Sequence, residues 1–187
     1  VINDETKRLG FLVEKVLQMS LFERQKATLK LKELDANDLI ISVANTFALK
    51  VEKYGGTLDL DLDALDSTIY VDEMHITNVL FNLMDNAVKY RRQDVPLALL
   101  VRTWNENGKL HISVEDNGIG IKKEYLKKVF DRFFRVPTGN KHDVKGFGLG
   151  LAYVRKIIED HKGSIRAEQG NNNIGTKFII TLPLIKS

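Results

Sequence analysis

The sequence predicts an α+β fold: a two-layer α/β sandwich, with helices covering one face of a mixed sheet, preceded by one long helix. Three observations predict it. Alternating segments pair across turns as hairpins, Leu97–Trp104 with Lys109–Glu115 and Ser164–Gln169 with Thr176–Leu182. Segments of helical period lie between those strands, which places helices in one layer against a sheet. A narrow apolar stripe occupies the start of the chain, where Ile2, Leu9 and Val16 recur every seven residues.

The elements follow in order. Leu12 and Met19 fall three residues after Leu9 and Val16, and acids and bases fill the remaining face of this first helix. Such a stripe either takes a partner helix or packs on its own chain. A short strand is expected over Lys30–Leu34, and Asp35 to Asn37 offer caps for a helix to about Lys53. Gly55-Gly56 stops it. Thr57 to Asp63 alternates Leu58, Leu60 and Leu62 with Asp59, Asp61 and Asp63, the pattern of a half-buried strand. Thr68–Val71 forms another strand and a helix follows over about Glu73–Tyr90. A short helix is expected over Lys122–Val129, a polar loop over Arg132–Gly146, and a helix from Gly148 to about His161.

Composition narrows the function classes. With 187 residues, 43% hydrophobic and 28% charged, the chain suits one mid-sized domain plus an appended element. No apolar run approaches the roughly 20 residues of a membrane span. Cysteine is absent, which excludes disulfides and thiolate metal sites. The net charge is only +3, and the basic pairs Arg91-Arg92, Lys122-Lys123 and Lys127-Lys128 alternate with acids. They read as a solvated face, so no nucleic-acid partner is expected. The chain starts at Val1, without Met or a signal peptide, and is read as a piece of a longer protein.

Three segments carry chemistry. On the helix Glu73–Tyr90, Ile76, Val79, Leu80, Leu83, Ala87 and Tyr90 share a core face. Opposite them His75, Asn78, Asn82, Asp85, Asn86 and Lys89 fall within an arc of about 100°. Asparagine is a poor choice for a merely solvated helix face. Its amide oxygen suits a hard cation such as Mg²⁺, which shares phosphate oxygens, and lysine adds a point charge for the same phosphates. Next, Asp116-Asn117-Gly118-Ile119-Gly120 follows a strand. A carboxylate there would accept from the exocyclic amine of adenine and repel the oxygen of guanine; a plain turn explains the same five residues. Last, Gly146-Phe147-Gly148-Leu149-Gly150 leads into a helix, where exposed N–H groups favour an anion. Alone, that third pattern is weak.

In combination the segments resemble a known family. Asn82 to Tyr90 is similar to the N box of sensor histidine kinases, Asp116 to Gly120 to their G1 box, and Phe130 to Arg135 to their F box. Gly146 to Leu151 resembles the G2 box, and Gly175-Thr176-Lys177-Phe178 the last glycine motif. All five occur in the family's order. The resemblance implies the Bergerat-type ATP-binding fold shared with DNA gyrase, a class of chaperones and mismatch-repair ATPases, with ATP and Mg²⁺ as its ligands. It assigns Asn86 to the metal, Asn82 and Lys89 to the metal–phosphate region, Asp116 to adenine and Tyr90 to the face of the base. Gly118 and Gly120 would shape the adenine pocket, Gly146, Gly148 and Gly150 would border the phosphates, and Leu149 and Thr176 would also bind the nucleotide. Residues 132–147 become a lid, with Arg132 or Arg135 meeting the γ-phosphate and Phe133, Phe134 and Phe147 anchoring it.

The same resemblance divides the chain into the second helix of a dimerisation and phosphoacceptor hairpin, residues 1–28, and an ATP-binding catalytic domain, residues 29–187. It implies transfer of the γ-phosphoryl to a histidine outside this sequence. None of His75, His111, His142 and His161 lies on a helix beside an acid in the family's manner. Implied partners are the phosphoacceptor hairpin, a response regulator receiver domain and a second copy through the first helix. The implied location is the cytoplasm, with the parent anchored in the inner membrane. One departure bears on the reaction: hydrolysing relatives place a glutamate where Asn82 stands, so no carboxylate activates water. A gyrase- or chaperone-type ATPase and a non-enzymatic nucleotide-binding or dimerisation scaffold are the rival readings.

Overall fold

The computed structural model describes residues 3–7, 9, 10, 13, 28–135 and 150–185. Residues 3–7 are helical, as are 9, 10 and 13. Of the expected N-terminal stripe only Leu9 is described and it is exposed, as is Val13; Ile2, Leu12, Val16 and Met19 lie outside the described residues.

The remaining chain runs β1 (Leu31–Asp35), α1 (Ala36–Lys53), β2 (Thr57–Leu62), β3 (Thr68–Asp72), α2 (Glu73–Lys89), β4 (Ala98–Glu106) and β5 (Lys109–Asp116). It closes with α3 (Gly150–Asp160), β6 (Ser164–Gln169) and β7 (Thr176–Pro183). Five strands make one sheet in the order β2-β4-β5-β7-β6. β2 is parallel to β4 and the other neighbours are antiparallel, so the sheet is mixed, as the sequence predicts. The β4–β5 hairpin closes through Asn107 and Gly108, both at positive φ, the two-residue turn that suits strand twist.

Alternation along the central strands builds the core. Leu99 and Val101, Leu110, Ile112 and Val114, and Phe178, Ile180 and Leu182 are buried on the helix side. They meet Ile40, Phe47 and Val51 of α1, Ile76, Leu80 and Leu83 of α2, and Val154, Ile157 and Ile158 of α3. These helical residues recur at the spacing that puts one stripe inward. Leu60 stays exposed although its period-two pattern marks it for the core, because β2 is an edge strand.

Two features depart from the sequence expectation. β1 and β3 form a separate antiparallel pair rather than joining the main sheet. Both strands end in an aspartate that caps the next helix. Asp35 accepts from Asp38 N at 3.1 Å, and Asp72 from His75 N at 3.1 Å. The helix expected over 122–129 is instead two single 3₁₀ turns, Lys123–Tyr125 and Lys128–Phe130.

A buried histidine ties the last helix to the start of α2. His161 Nδ1 lies 2.7 Å from the Ile157 carbonyl oxygen, to which it donates, and its Nε2 accepts from Asp72 N at 3.0 Å. The two bonds fix the orientation of the ring. His161→Phe keeps a planar ring but strands the Asp72 N–H in the interior, at a cost of about 1–3 kcal/mol before any overpacking by the larger ring. A lower thermal midpoint, with the secondary structure by circular dichroism unchanged at low temperature, is the expected result.

Candidate functional site

Helix α2 supplies one wall of the site. Its cap, Asp72, is buried, which alone would raise its pKa; N–H bonds from His75 and Lys30 outweigh burial and lower it. The polar stripe then runs up the helix. His75 Nδ1 lies 2.8 Å from the Tyr153 hydroxyl of α3. Asn82 donates from Nδ2 to the Asn78 carbonyl at 2.9 Å, and a Cβ placed on Gly150 would lie 3.2 Å from Asn82 Oδ1. The side chain of Asn82 therefore faces the first residue of α3. Asn86 is half-buried and its side-chain amide has no hydrogen-bond partner among the described residues. Its oxygen is available to a ligand.

Lys89, at the end of the stripe, pairs with Asp85 at 3.3 Å, and Asp85 also takes Lys50 of α1 at 2.6 Å. Burial alone would raise the Asp85 pKa; the bond from Lys50 and the charge of Lys89 reverse that and lower it.

The end of β5 supplies the second wall. Asp116 Oδ1 accepts from Gly118 N at 2.8 Å and from Thr176 N at 3.3 Å. Both bonds fall on one oxygen, and Oδ2 has no hydrogen-bond partner among the described residues. Burial pushes this carboxyl up to about 6, against the pull of those two N–H groups, and Glu115 adds to the rise. Gly118 lies so close to α2 that a Cβ would run into the Tyr90 carbonyl oxygen, which accepts from Ile119 N at 3.0 Å. Gly175 has φ +71°, and a Cβ there would collide with the Asp116 carbonyl oxygen. Gly120, at φ +78°, sits against Gly175.

The structure sets Asn82 beside Gly150, ties Tyr90 to Ile119 and Asp116 to Gly118 and Thr176, and lays Gly120 against Gly175, with Asn86 and Lys89 in the last turn of α2. Burial raises the Tyr90 pKa, and the charge of Arg135 acts on the same phenol in the opposite sense. Arg132 and Arg135 are both exposed. Gly146, Gly148, Leu149 and Phe147 lie outside the described residues. Phe133 does not fill an apolar slot. It is exposed and carries φ +61°, uncommon for a bulky side chain, whereas Phe134 packs on Tyr125 with ring centres 5.6 Å apart.

Sequence reasoning missed several residues. Asn117 donates to Pro96 O at 3.0 Å, accepts from Ala98 N at 2.8 Å, and its carbonyl accepts from Arg92 Nε at 3.0 Å. It pins the 90–98 connection beside the site. Lys50 and Tyr153 were missed as well, because each reaches the site from another helix and no local pattern marks them.

Residues 71–186 match the family model described as histidine kinase-, DNA gyrase B-, and HSP90-like ATPase. The chain belongs to this ATPase family. Within the family it resembles sensor kinases. It is 72% identical to the sensor protein RprX of Bacteroides fragilis (strain YCH46), over 100% of this chain and 36% of that protein. It is 33% identical to the sensor histidine kinase WalK of Bacillus subtilis (strain 168), over 98% of this chain and 30% of that protein. The chain therefore spans about a third of the length of these curated relatives. Among solved structures, the catalytic domain of histidine kinase ThkA is 31% identical with a TM-score of 0.70, covering 83% of this chain and 96% of that one. ThkA in complex with the response regulator TrrA is 28% identical with a TM-score of 0.76, covering 97% of this chain and 49% of that one. The fold and these relatives make this chain an ATP-binding catalytic domain of the sensor histidine kinase kind. No described helix is long and apolar enough to cross a membrane.

The raised Asp116 pKa has a consequence for stability. Its folded value of about 6 lies above its ordinary 3.8, so between those values the folded chain holds a proton that the unfolded chain has lost. Stability from this group is lost as pH rises through that window and is level above it. Asp116→Asn removes the buried charge and keeps an oxygen for the two N–H groups. The variant is expected to gain on the parent from pH 4 to 6, by on the order of 2 kcal/mol, in paired thermal melts without nucleotide.

Proposed function

We propose that this domain binds Mg-ATP and transfers its γ-phosphoryl to a histidine on the phosphoacceptor hairpin of its parent protein. The observation that carries the proposal is the Asp116 carboxylate, with Oδ1 held by backbone donors and Oδ2 left for a ligand. An exocyclic amine of adenine suits Oδ2, and the glycines let the ring approach the chain. Tyr90 joins this adenine end to the asparagine wall through the Ile119 bond, which supports a pose with the phosphates toward Asn82, Asn86 and Lys89.

Among the described residues no group of three or more His, Cys, Asp or Glu side chains is placed to hold a metal ion. The donor set fits Mg²⁺ held mainly by phosphate oxygens, with the unpartnered Asn86 oxygen as the protein ligand. When bound, the ion neutralises charge on the phosphates. Lys89 contributes a further positive charge there, and the chain's own task is positioning. In the transfer the bond from the γ-phosphorus to its bridging oxygen breaks, ADP leaves, and a bond to an imidazole nitrogen forms. Asn82 offers no carboxylate to activate water, which supports transfer over hydrolysis.

The remaining assignments belong to the same reading. Residues 1–28 would be the second helix of the hairpin and residues 29–187 the catalytic domain, with 132–147 as a lid. Arg132 or Arg135 would meet the γ-phosphate, and Gly146, Gly148, Leu149 and Gly150 would border the phosphates. A second copy through the first helix, a receiver domain and a membrane-anchored parent with this domain in the cytoplasm complete the proposal. The ThkA–TrrA complex supports the receiver partner, since that kinase shares this fold with a response regulator bound.

Three measurements test it. Titration with ATP and GTP should show adenine preferred by on the order of 100-fold, and Asp116→Asn should lose the preference. Adenosine, whose phosphate-free form removes other titrations, should bind more tightly as pH rises through about 6, since the ionised carboxylate is the acceptor. Incubation with γ-labelled ATP and a supplied histidine-bearing hairpin should give acid-labile label on the hairpin, abolished by Asn86→Asp. Acid-stable label on the chain itself would overturn the reading.

A further inference from the structure

Two lysines share one carboxylate at the outer end of the asparagine wall. Asp85 sits between them, with Oδ1 2.6 Å from Lys50 Nζ and Oδ2 3.3 Å from Lys89 Nζ. Lys89 and Asp85 come from α2, four residues apart, while Lys50 reaches across from the last turn of α1. Lys50 is fixed a second time, with its ammonium 5.7 Å above the Phe47 ring, which in turn tilts against Phe81 at 6.1 Å. Asp85 is only partly exposed, so each lysine lowers the cost of keeping it charged.

Lys89 is the member of this trio that the proposed function needs elsewhere. To meet a phosphate oxygen it must loosen its bond to Asp85. That exchange would leave a half-buried carboxylate uncompensated beside a triphosphate, were Asp85 not held by another cation. We infer that Lys50 is a positioning residue for ATP: it stays on Asp85 Oδ1 and thereby releases Lys89 from Oδ2 to the phosphates. The inference rests on the reading of this cleft as the ATP site.

Without Lys50, Asp85 keeps Lys89 as its single counter-ion, and ATP has to compete for it. Lys50→Met is expected to weaken ATP binding about threefold to tenfold, the range for a partly exposed ion pair. AMP, which lacks the outer phosphates, should bind as tightly as to the parent. Lys50→Arg restores the cation and should restore ATP affinity, and Lys50→Met combined with Asp85→Asn removes the competitor and should do so too. Calorimetric titration of the three variants and the parent with Mg-ATP and AMP reads all of this, and thermal melts confirm folding. Unchanged ATP affinity in Lys50→Met overturns the inference; so does an equal loss of ATP and AMP, which marks a merely structural role. A parent chain that binds no ATP would instead overturn the functional reading on which the inference stands.

Discussion

A carboxylate that lies half-buried at the end of a central strand needs donors, and Asp116 draws them from two places at once. Gly118 N comes from its own turn and Thr176 N from the start of β7. The pair of bonds requires the β5–β7 register, the turn after β5, and the approach of Gly175 over the Asp116 backbone to exist together. Few other contacts in the domain join so many separate stretches of chain. Because both bonds take the same oxygen, the other stays available, and burial makes its ionisation costly in the absence of a partner. An amine donor on a ligand would relieve that cost, so the interaction that organises the site also gives it a reason to bind.

The second constraint is the closeness of backbone to backbone. Gly118 can hold its N–H on Asp116 only because it lies against the Tyr90 carbonyl, where a side chain would not fit. The bond from Ile119 N to that carbonyl then fixes the C-terminal end of α2 relative to the turn. Asn86 and Lys89, within the last turn of α2, are thereby placed at a set offset from Asp116. At the other end of α2, His161 and Asp72 secure the helix start against α3. The helix that carries the polar stripe is thus clamped at both ends.

Much of this was legible from the residues alone. The period of Ile76, Val79, Leu80 and Leu83 marked the core face of α2, and the structure buries those four residues with the Asn stripe on the partly exposed side. Local punctuation served well: Asp35, among the expected caps, caps α1, and the hairpin turns at Asn107-Gly108. What escaped sequence reading was non-local. Whether β1 and β3 join the main sheet depends on pairing energies between strands more than thirty residues apart. The Lys50–Asp85 pair and the Tyr153–His75 contact likewise link helices far apart in sequence. The 3₁₀ turns near Lys123 show the opposite limit, where a helical period was present but too short to sustain a helix.

The choice between transfer and hydrolysis turns on one side chain and its surroundings. Asn82 commits its amide N–H to the Asn78 carbonyl one turn back, and its oxygen looks toward Gly150. An amide has no basic lone pair able to take a proton from water. The nearest carboxylate on the same helix, Asp85, is engaged by two lysines that lower its pKa and therefore its strength as a base. Neither group suits the activation of water. A site built this way positions an electrophile and waits for a nucleophile that brings its own basicity. An imidazole does that without help from a carboxylate in the cleft, since its neutral nitrogen already carries the lone pair that forms the new bond.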